Sequence, residues 1–198
     1  MPTTYATLAD VKAALRITDS VDDTLLTSLI TTASRRIDNR CGRRFYADAA
    51  ATARTYTAQQ TDTVMTDDIS TTTSLVVKVD DDGDGTFETT LTVGTDYQLE
   101  PLNALARSLP INLLRGTGRG FPRSSVGQAL VEVTAKWGWP SVPEPIAEAT
   151  RLLVMRQFRR FDSPLGVAGF GDLGAIMVRN LDPDIEALIG PYTVVTVA

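Results

Sequence analysis

Few residues in this sequence could carry out catalysis. Histidine is absent, which removes the usual general base and the commonest zinc ligand. The single cysteine, Cys41, cannot form an internal disulfide, and it has no histidine partner to activate it as a nucleophile. We therefore predict that the protein is not an enzyme, and we expect no catalytic residue and no cofactor.

An acidic run between two strand-like segments has the spacing of the first half of a calcium loop. Asp80, Asp82 and Asp84 stand at positions 1, 3 and 5 of such a loop, with Gly85 at position 6. Position 12 is Leu91 instead of the glutamate that would bind calcium through both oxygens. The same residues suit a β-turn. A hairpin turn is therefore the favoured interpretation, and the three aspartates are kept as calcium-ligand candidates of a calcium-dependent binding module.

A dinucleotide-binding pattern, G-x-G-x-x-G, occurs at residues 169–174. Its mechanism requires a buried parallel strand before the loop and a helix after it. Pro164 and a nearby glycine precede the pattern instead, and no βαβ unit is predicted. We expect no nucleotide site there.

Charge is distributed unequally along the chain, whose net charge is −5. Residues 62–100 carry ten acidic residues and one lysine, whereas residues 101–136 have an excess of arginine. Opposite charges on one chain suit a head-to-tail contact between copies, and such contacts can close into a ring. The candidates for this intersubunit contact are Arg107, Arg115, Arg119, Arg123, Asp81 and Asp84.

A second basic stretch keeps a nucleic-acid-binding alternative open. Arg151, Arg156, Arg159 and Arg160 lie within ten residues, and clustered arginines can contact phosphate. The whole protein is acidic, however, which disfavours general binding to nucleic acid.

The elements that position these residues begin with two predicted helices. Thr7 and Asp10 form a capping signal, after which Leu8, Val11 and Leu15 recur at helical spacing. A longer apolar stripe, closed by Gly42, contains Leu26, Ile30, Ala33, Ile37 and Cys41. A third helix is predicted after Pro143, and a short helix at 182–189 begins with Pro183 at its first position.

Between the second and third helices the hydrophobic period changes to two. The alternating apolar residues are Leu75, Val77 and Val79, then Phe87, Leu91 and Val93, then Val131, Val133, Ala135 and Trp137. Polar residues between them indicate antiparallel strands with one solvated face.

We therefore predict an α+β protein: a small helical bundle interrupted by an antiparallel β insert. Residues 1–52 form the N-terminal helices of the bundle, 53–139 the β insert, 140–163 the third core helix, and 164–198 a flexible tail with a short docking helix.

The order of these features resembles the head–tail connector (adaptor) proteins of tailed phages. The resemblance covers nearly the full chain and is carried by five segments: 5–17 at the opening, 41–45 after the second helix, 96–101, 137–143 and 181–192. The second segment reads Cys-Gly-Arg-Arg-Phe and the fourth begins Trp-Gly-Trp-Pro.

The resemblance implies a structural protein of the virion neck, assembled in the host cytoplasm, with no membrane partner. The N-terminal residues contain no basic region followed by an apolar one, so we expect no signal peptide. The protein's partners would be further copies of itself in a ring, usually of twelve, the portal protein, and a tail-side stopper or tail-terminator protein. Double-stranded DNA would pass through the ring without sequence-specific binding. The candidates for portal docking are Asp182, Ile185, Leu188, Ile189 and Tyr192.

Overall fold

A computed structural model describes residues 3–161 and 183–194 of the chain. These residues fall into two compact units. The sheet unit is Tyr46–Ser141, and the helical unit is built from the described residues before and after it. No helix in these two described ranges is long and apolar enough to cross a membrane.

The helical unit begins with α1 (Leu8–Leu15) and α2 (Asp23–Cys41). The Thr7 hydroxyl accepts the Asp10 N–H at 3.1 Å and caps α1, as predicted. All five residues of the apolar stripe of α2 are buried. Gly42 ends α2 in the left-handed conformation with φ of 67°. The predicted start of α1 and the predicted end of α2 are therefore confirmed.

The C-terminal half of the chain adds α3 (Glu144–Phe161) and α4 (Pro183–Ile189) to the same unit. Ile185 and Ile189 of α4 are 2% and 1% exposed. The Ile189 carbonyl accepts the Cys41 thiol at 3.9 Å, and Val194 N–H donates to the Cys41 carbonyl at 2.8 Å. The apolar side of α4 thus belongs to the helical core.

The sheet unit contains six strands, all paired antiparallel. They are β1 (Thr52–Tyr56), β2 (Thr63–Val79), β3 (Thr89–Leu91), β4 (Tyr97–Glu100), β5 (Ile111–Gly116) and β6 (Val131–Trp137). Their order across the sheet is β1-β6-β2-β5-β4, and β3 pairs with the end of β2. The predicted α+β fold class is confirmed.

The core of the sheet unit follows the predicted alternation on β6 and on the end of β2. Val131, Val133, Ala135 and Trp137 are all buried, and Glu132, Thr134 and Lys136 between them are half-buried.

The predicted strand through Phe87, Leu91 and Val93 is wrong on both sides of β3 (Thr89–Leu91). Val93 is 55% exposed, and Phe87 lies outside the strand. A turn ends the strand early. In this turn the Asp96 carboxylate accepts a hydrogen bond from the Thr92 N–H at 2.7 Å, and the Asp96 N–H donates to the Thr92 carbonyl at 2.8 Å.

Candidate assembly surfaces

The acidic tip, residues 80–88, connects β2 to β3 and contains the hairpin turn predicted from the sequence. Asp80 is fully buried. Its Oδ1 accepts the N–H of Gly83 at 2.6 Å, and its Oδ2 accepts the N–H of Gly85 at 2.8 Å. The carboxylate therefore holds the turn together from the inside.

Two carboxylates of the tip, those of Asp80 and Asp81, are kept ionised by their hydrogen-bond donors. Burial works to raise the pKa of Asp80, but the N–H groups of Gly85 and Gly83 outweigh it and hold that pKa below its usual range. The pKa of Asp81 is also lowered, first by the hydroxyl of Thr89 and then by the guanidinium of Arg119.

The calcium interpretation gains little from this geometry. Asp80, Asp82 and Glu88 bring carboxylate oxygens within 4.8 Å of one another, but Asp84, a predicted ligand, is not in the group. Leu91 occupies position 12 and is buried. Both oxygens of Asp80 are already hydrogen-bonded to backbone N–H groups of the turn.

Two of the four predicted intersubunit arginines are paired within their own chain. Arg119 forms an ion pair with Asp81. Arg115 contacts Glu100 at 2.7 Å and Asp62 at 3.4 Å. The loop after β5 brings Arg119 back to the acidic tip, so part of the predicted charge complementarity is satisfied internally.

The other two intersubunit arginines, Arg107 and Arg123, are exposed. Neither has a carboxylate within 4.0 Å among the residues that the structure describes. These two side chains are available to a partner.

The basic stretch considered for nucleic acid lies on α3. Arg151 is held by Glu148 at 2.5 Å and by Glu144 at 3.0 Å, so its charge is neutralised locally. Arg159 and Arg160, in the last turn, are exposed. The predicted cluster is therefore not a continuous unpaired patch.

The portal-docking candidates differ in how exposed they are. Ile185 and Ile189 are buried, whereas Leu188 and Tyr192 are half-buried. Asp182 lies outside the described residues, as does the G-x-G-x-x-G pattern at 169–174. A partner can reach only the outer side of α4 in this conformation.

Sequence reasoning missed a polar contact at the centre of the helical unit. The Tyr5 hydroxyl donates to the Asp38 carboxylate and accepts the Phe45 N–H at 2.8 Å. Burial raises the pKa of Tyr5, and the bond to Asp38 adds to the effect. The Phe45 ring meets Tyr5 and Tyr192 edge-on, at centroid distances of 5.7 and 5.8 Å. This cluster ties the first described residues to the end of α2 and to the segment after α4.

Asp80→Asn is expected to destabilise the sheet unit at neutral pH and much less at low pH. Because the folded pKa of Asp80 lies below the ordinary value of about 3.9, its stabilisation is present above that value and is lost as the pH falls through the folded pKa. Thermal unfolding of both proteins at about pH 7 and about pH 3 tests this. Asp82→Asn, at an exposed position of the same tip, is the control. A difference in Tm that grows at low pH would contradict the prediction.

Comparison with known proteins finds a family match to the N-terminal part of the chain. Residues 5–82, which contain α1, α2, β1 and β2, match the family described as "Phage gp6-like head-tail connector protein". The chain resembles head–tail connectors, as predicted. No curated protein matches the chain.

Solved structures extend the likeness of fold to the full length of the chain. A chain in the neck of an empty gene transfer agent (GTA) particle, computed with C6 symmetry, has a TM-score of 0.58 at 20% identity. A chain in the neck of the native GTA particle, computed with C12 symmetry, has a TM-score of 0.57 at 20% identity. Both alignments cover 100% of this chain and 93% of the other. A chain in the virion of the native GTA particle has a TM-score of 0.56 at 21% identity and is covered to 94%. The fold is thus that of chains found in the neck of a phage-like particle.

Proposed function

We propose that this protein forms the ring that joins the portal of a tailed phage or phage-like particle to the tail-side neck. The observation that carries the proposal is the match of residues 5–82 to head–tail connectors. The ring would surround the channel through which double-stranded DNA passes, and its role would be structural and not enzymatic. It would assemble in the host cytoplasm and remain in the virion neck.

A ring of twelve copies is the proposed stoichiometry. One of the similar neck structures was computed with C12 symmetry and another with C6 symmetry. A ring of twelve copies is compatible with both, because twelve is a multiple of six. A ring requires a heterologous contact, in which two different surfaces of each copy meet those of its neighbours.

We infer that exposed arginines supply one side of that contact. Arg107 and Arg123 are the two intersubunit candidates without a carboxylate partner among the described residues. Asp84 is the candidate on the acidic side, because Asp81 is engaged by Arg119 of its own chain. Contacts between exposed charges are screened within about 8–10 Å at ordinary salt, so ring closure should weaken as salt rises.

We also propose that the helical unit meets the portal. The outer side of α4, with Leu188 half-buried and Ala187 exposed, remains open to a partner. Ile185 and Ile189 would support this surface from inside, because both are buried in the unit. The tail-side stopper or tail terminator would then contact another surface of the ring.

The decisive experiment is cryo-electron microscopy and native mass spectrometry of the protein assembled with a portal ring. We expect a closed ring on the portal, with twelve copies per ring in line with C12 symmetry. Arg123→Glu should reduce the fraction of closed rings, and lower salt should not restore it. The matched control is Arg16→Glu, which reverses one exposed arginine in the helical unit.

The possible failures are distinguishable. If the wild-type protein forms no ring with a portal, the proposed function is wrong. If rings form and Arg123→Glu assembles like Arg16→Glu, the function stands and the intersubunit contact lies elsewhere.

A further inference from the structure

The acidic tip contains the two aspartyl–glycyl bonds of this sequence, Asp82–Gly83 and Asp84–Gly85. Such bonds can isomerise, because glycine has no side chain to shield its amide nitrogen. The glycine nitrogen attacks the side-chain carboxyl carbon of the preceding aspartate in its protonated form, and the nitrogen's proton leaves with the carboxyl hydroxyl group as water. The resulting succinimide takes up one water and reopens either to aspartate or to isoaspartate, whose main chain runs through the side-chain carbon. The net composition is unchanged.

Both attacking nitrogens are held by one buried carboxylate. Gly83 N–H donates to Asp80 Oδ1 at 2.6 Å, and Gly85 N–H donates to Asp80 Oδ2 at 2.8 Å. A succinimide nitrogen carries no hydrogen, so forming the ring removes one of these bonds. The fully buried Asp80 carboxylate would then lose a donor, which is costly for a charged group.

The carboxyl groups that would be attacked are restrained as well. Asp82 Oδ1 accepts the Asp84 N–H at 3.2 Å, and Asp84 Oδ1 accepts the Thr86 N–H at 2.7 Å. Each carboxyl group is therefore bonded to the amide two residues ahead instead of approaching the adjacent glycine amide. Nucleophile and electrophile are held in separate hydrogen bonds.

We propose that these two aspartyl–glycyl bonds are latent isoaspartate sites, whose modification is suppressed by the Asp80 carboxylate. The proposal goes beyond the connector function and does not depend on ring formation. Isoaspartate at either site would lengthen the main chain of the turn by one carbon. It would also displace the glycine N–H groups that Asp80 binds. Asp80 thus preserves the tip chemically as well as conformationally.

The test is incubation of the full chain and of Asp80→Ala in warm neutral buffer made with heavy-oxygen water. Each passage through the succinimide introduces one heavy oxygen into the tip peptide, which mass spectrometry after digestion detects. We expect labelling roughly ten-fold faster or more in Asp80→Ala, the factor expected from one hydrogen bond to a charged group. Isoaspartate should appear at the same two positions.

Asp81→Ala is the matched control. Asp81 binds Thr89 and Arg119 but neither glycine N–H, so its loss loosens the tip without releasing the nucleophiles. Equal labelling of Asp81→Ala and Asp80→Ala would overturn the specific role of Asp80.

A second comparison does not depend on how well the variants fold. A synthetic peptide of residues 78–90 has the same two aspartyl–glycyl bonds but not the folded turn in which Asp80 accepts both glycine N–H groups. We expect the wild-type chain to label roughly ten-fold more slowly than the peptide. Equal rates in the chain and the peptide would also overturn the proposal.

Discussion

Gly138→Ala is expected to remove a substantial part of the stability of the sheet unit. Gly138 has φ of +105°, and a Cβ at this position would lie 1.9 Å from the Tyr46 carbonyl oxygen and 2.9 Å from its carbon. Both obstacles are backbone atoms, which cannot move aside as a flexible side chain would. Backbone strain of about 1–3 kcal/mol adds to overpacking of about 1–3 kcal/mol. The combined loss of about 2–6 kcal/mol is large against a typical stability of about 5–15 kcal/mol.

The surrounding hydrogen bonds explain why the backbone cannot relax at this position. Gly138 N–H donates to the Asp68 carbonyl at 2.7 Å, and Asp48 N–H donates to the Trp137 carbonyl at 2.7 Å. The Trp139 ring N–H also donates to the Asp68 carboxylate at 3.0 Å. A shift that removed the clash would break at least one of these bonds.

Gly94→Ala is the control for Gly138→Ala. Gly94 has φ of +84°, but no atom lies within 4 Å of the Cβ that alanine would add. It should therefore show the backbone strain alone, about 1–3 kcal/mol. Urea unfolding followed by near-ultraviolet circular dichroism of the tryptophans measures both variants. If the two cost the same, the steric argument at Gly138 is wrong.

The helical unit could be predicted because its signals are local. The Thr7 cap and the Gly42 end depend on contacts within one turn of helix, and the α2 stripe depends on spacing along one element. Each signal is complete within a few residues. Local signals also predicted α3, which follows Pro143, and the start of α4 at Pro183.

Much of the sheet could not be predicted because β2 is irregular. The register of β2 shifts between Met65 and Ile69, between Ile69 and Thr71, and between Thr71 and Val76. At such a bulge successive residues can turn the same way, and Ile69 and Ser70 are both buried. Alternation in the sequence is therefore interrupted although the strand continues. β5 gave no clean alternation either, since Leu113 and Leu114 are adjacent.

The candidate surfaces were predicted by residue type and not by pairing. Charge counts identified Arg119 and Asp81 as candidates to meet an opposite charge, but only the path of the loop after β5 places them together within one chain. The acidic run predicted a turn, whereas the burial of Asp80 depends on how the glycines of that turn fold around it. Pairings of this kind arise from tertiary structure, which a count of charges does not contain.

Ile185→Asp is expected to detach α4 and destabilise the helical unit by at least about 4 kcal/mol. The Ile185 side chain is 2% exposed, so an aspartate there would either lose its hydration or pull the helix off the unit. Detachment would also break the hydrogen bond from the Val194 N–H to the Cys41 carbonyl. The two hydrogen bonds from the Arg40 guanidinium to the Glu186 carboxylate, at 3.1 and 3.0 Å, would be lost as well.

Ala187→Asp provides the matched control, because it adds the same charge to the same helix at an exposed position. It should change stability by no more than about 0.5 kcal/mol. Hydrogen exchange of the α4 amides, together with thermal unfolding, distinguishes the two variants. If Ile185→Asp and Ala187→Asp give the same hydrogen exchange of the α4 amides and the same thermal unfolding, α4 does not contribute to the helical core in solution. The simple docking helix expected from the sequence would then describe α4 better. If Ile185→Asp alone exposes the α4 amides, any portal contact made by α4 depends on a helix that is already folded against its own unit.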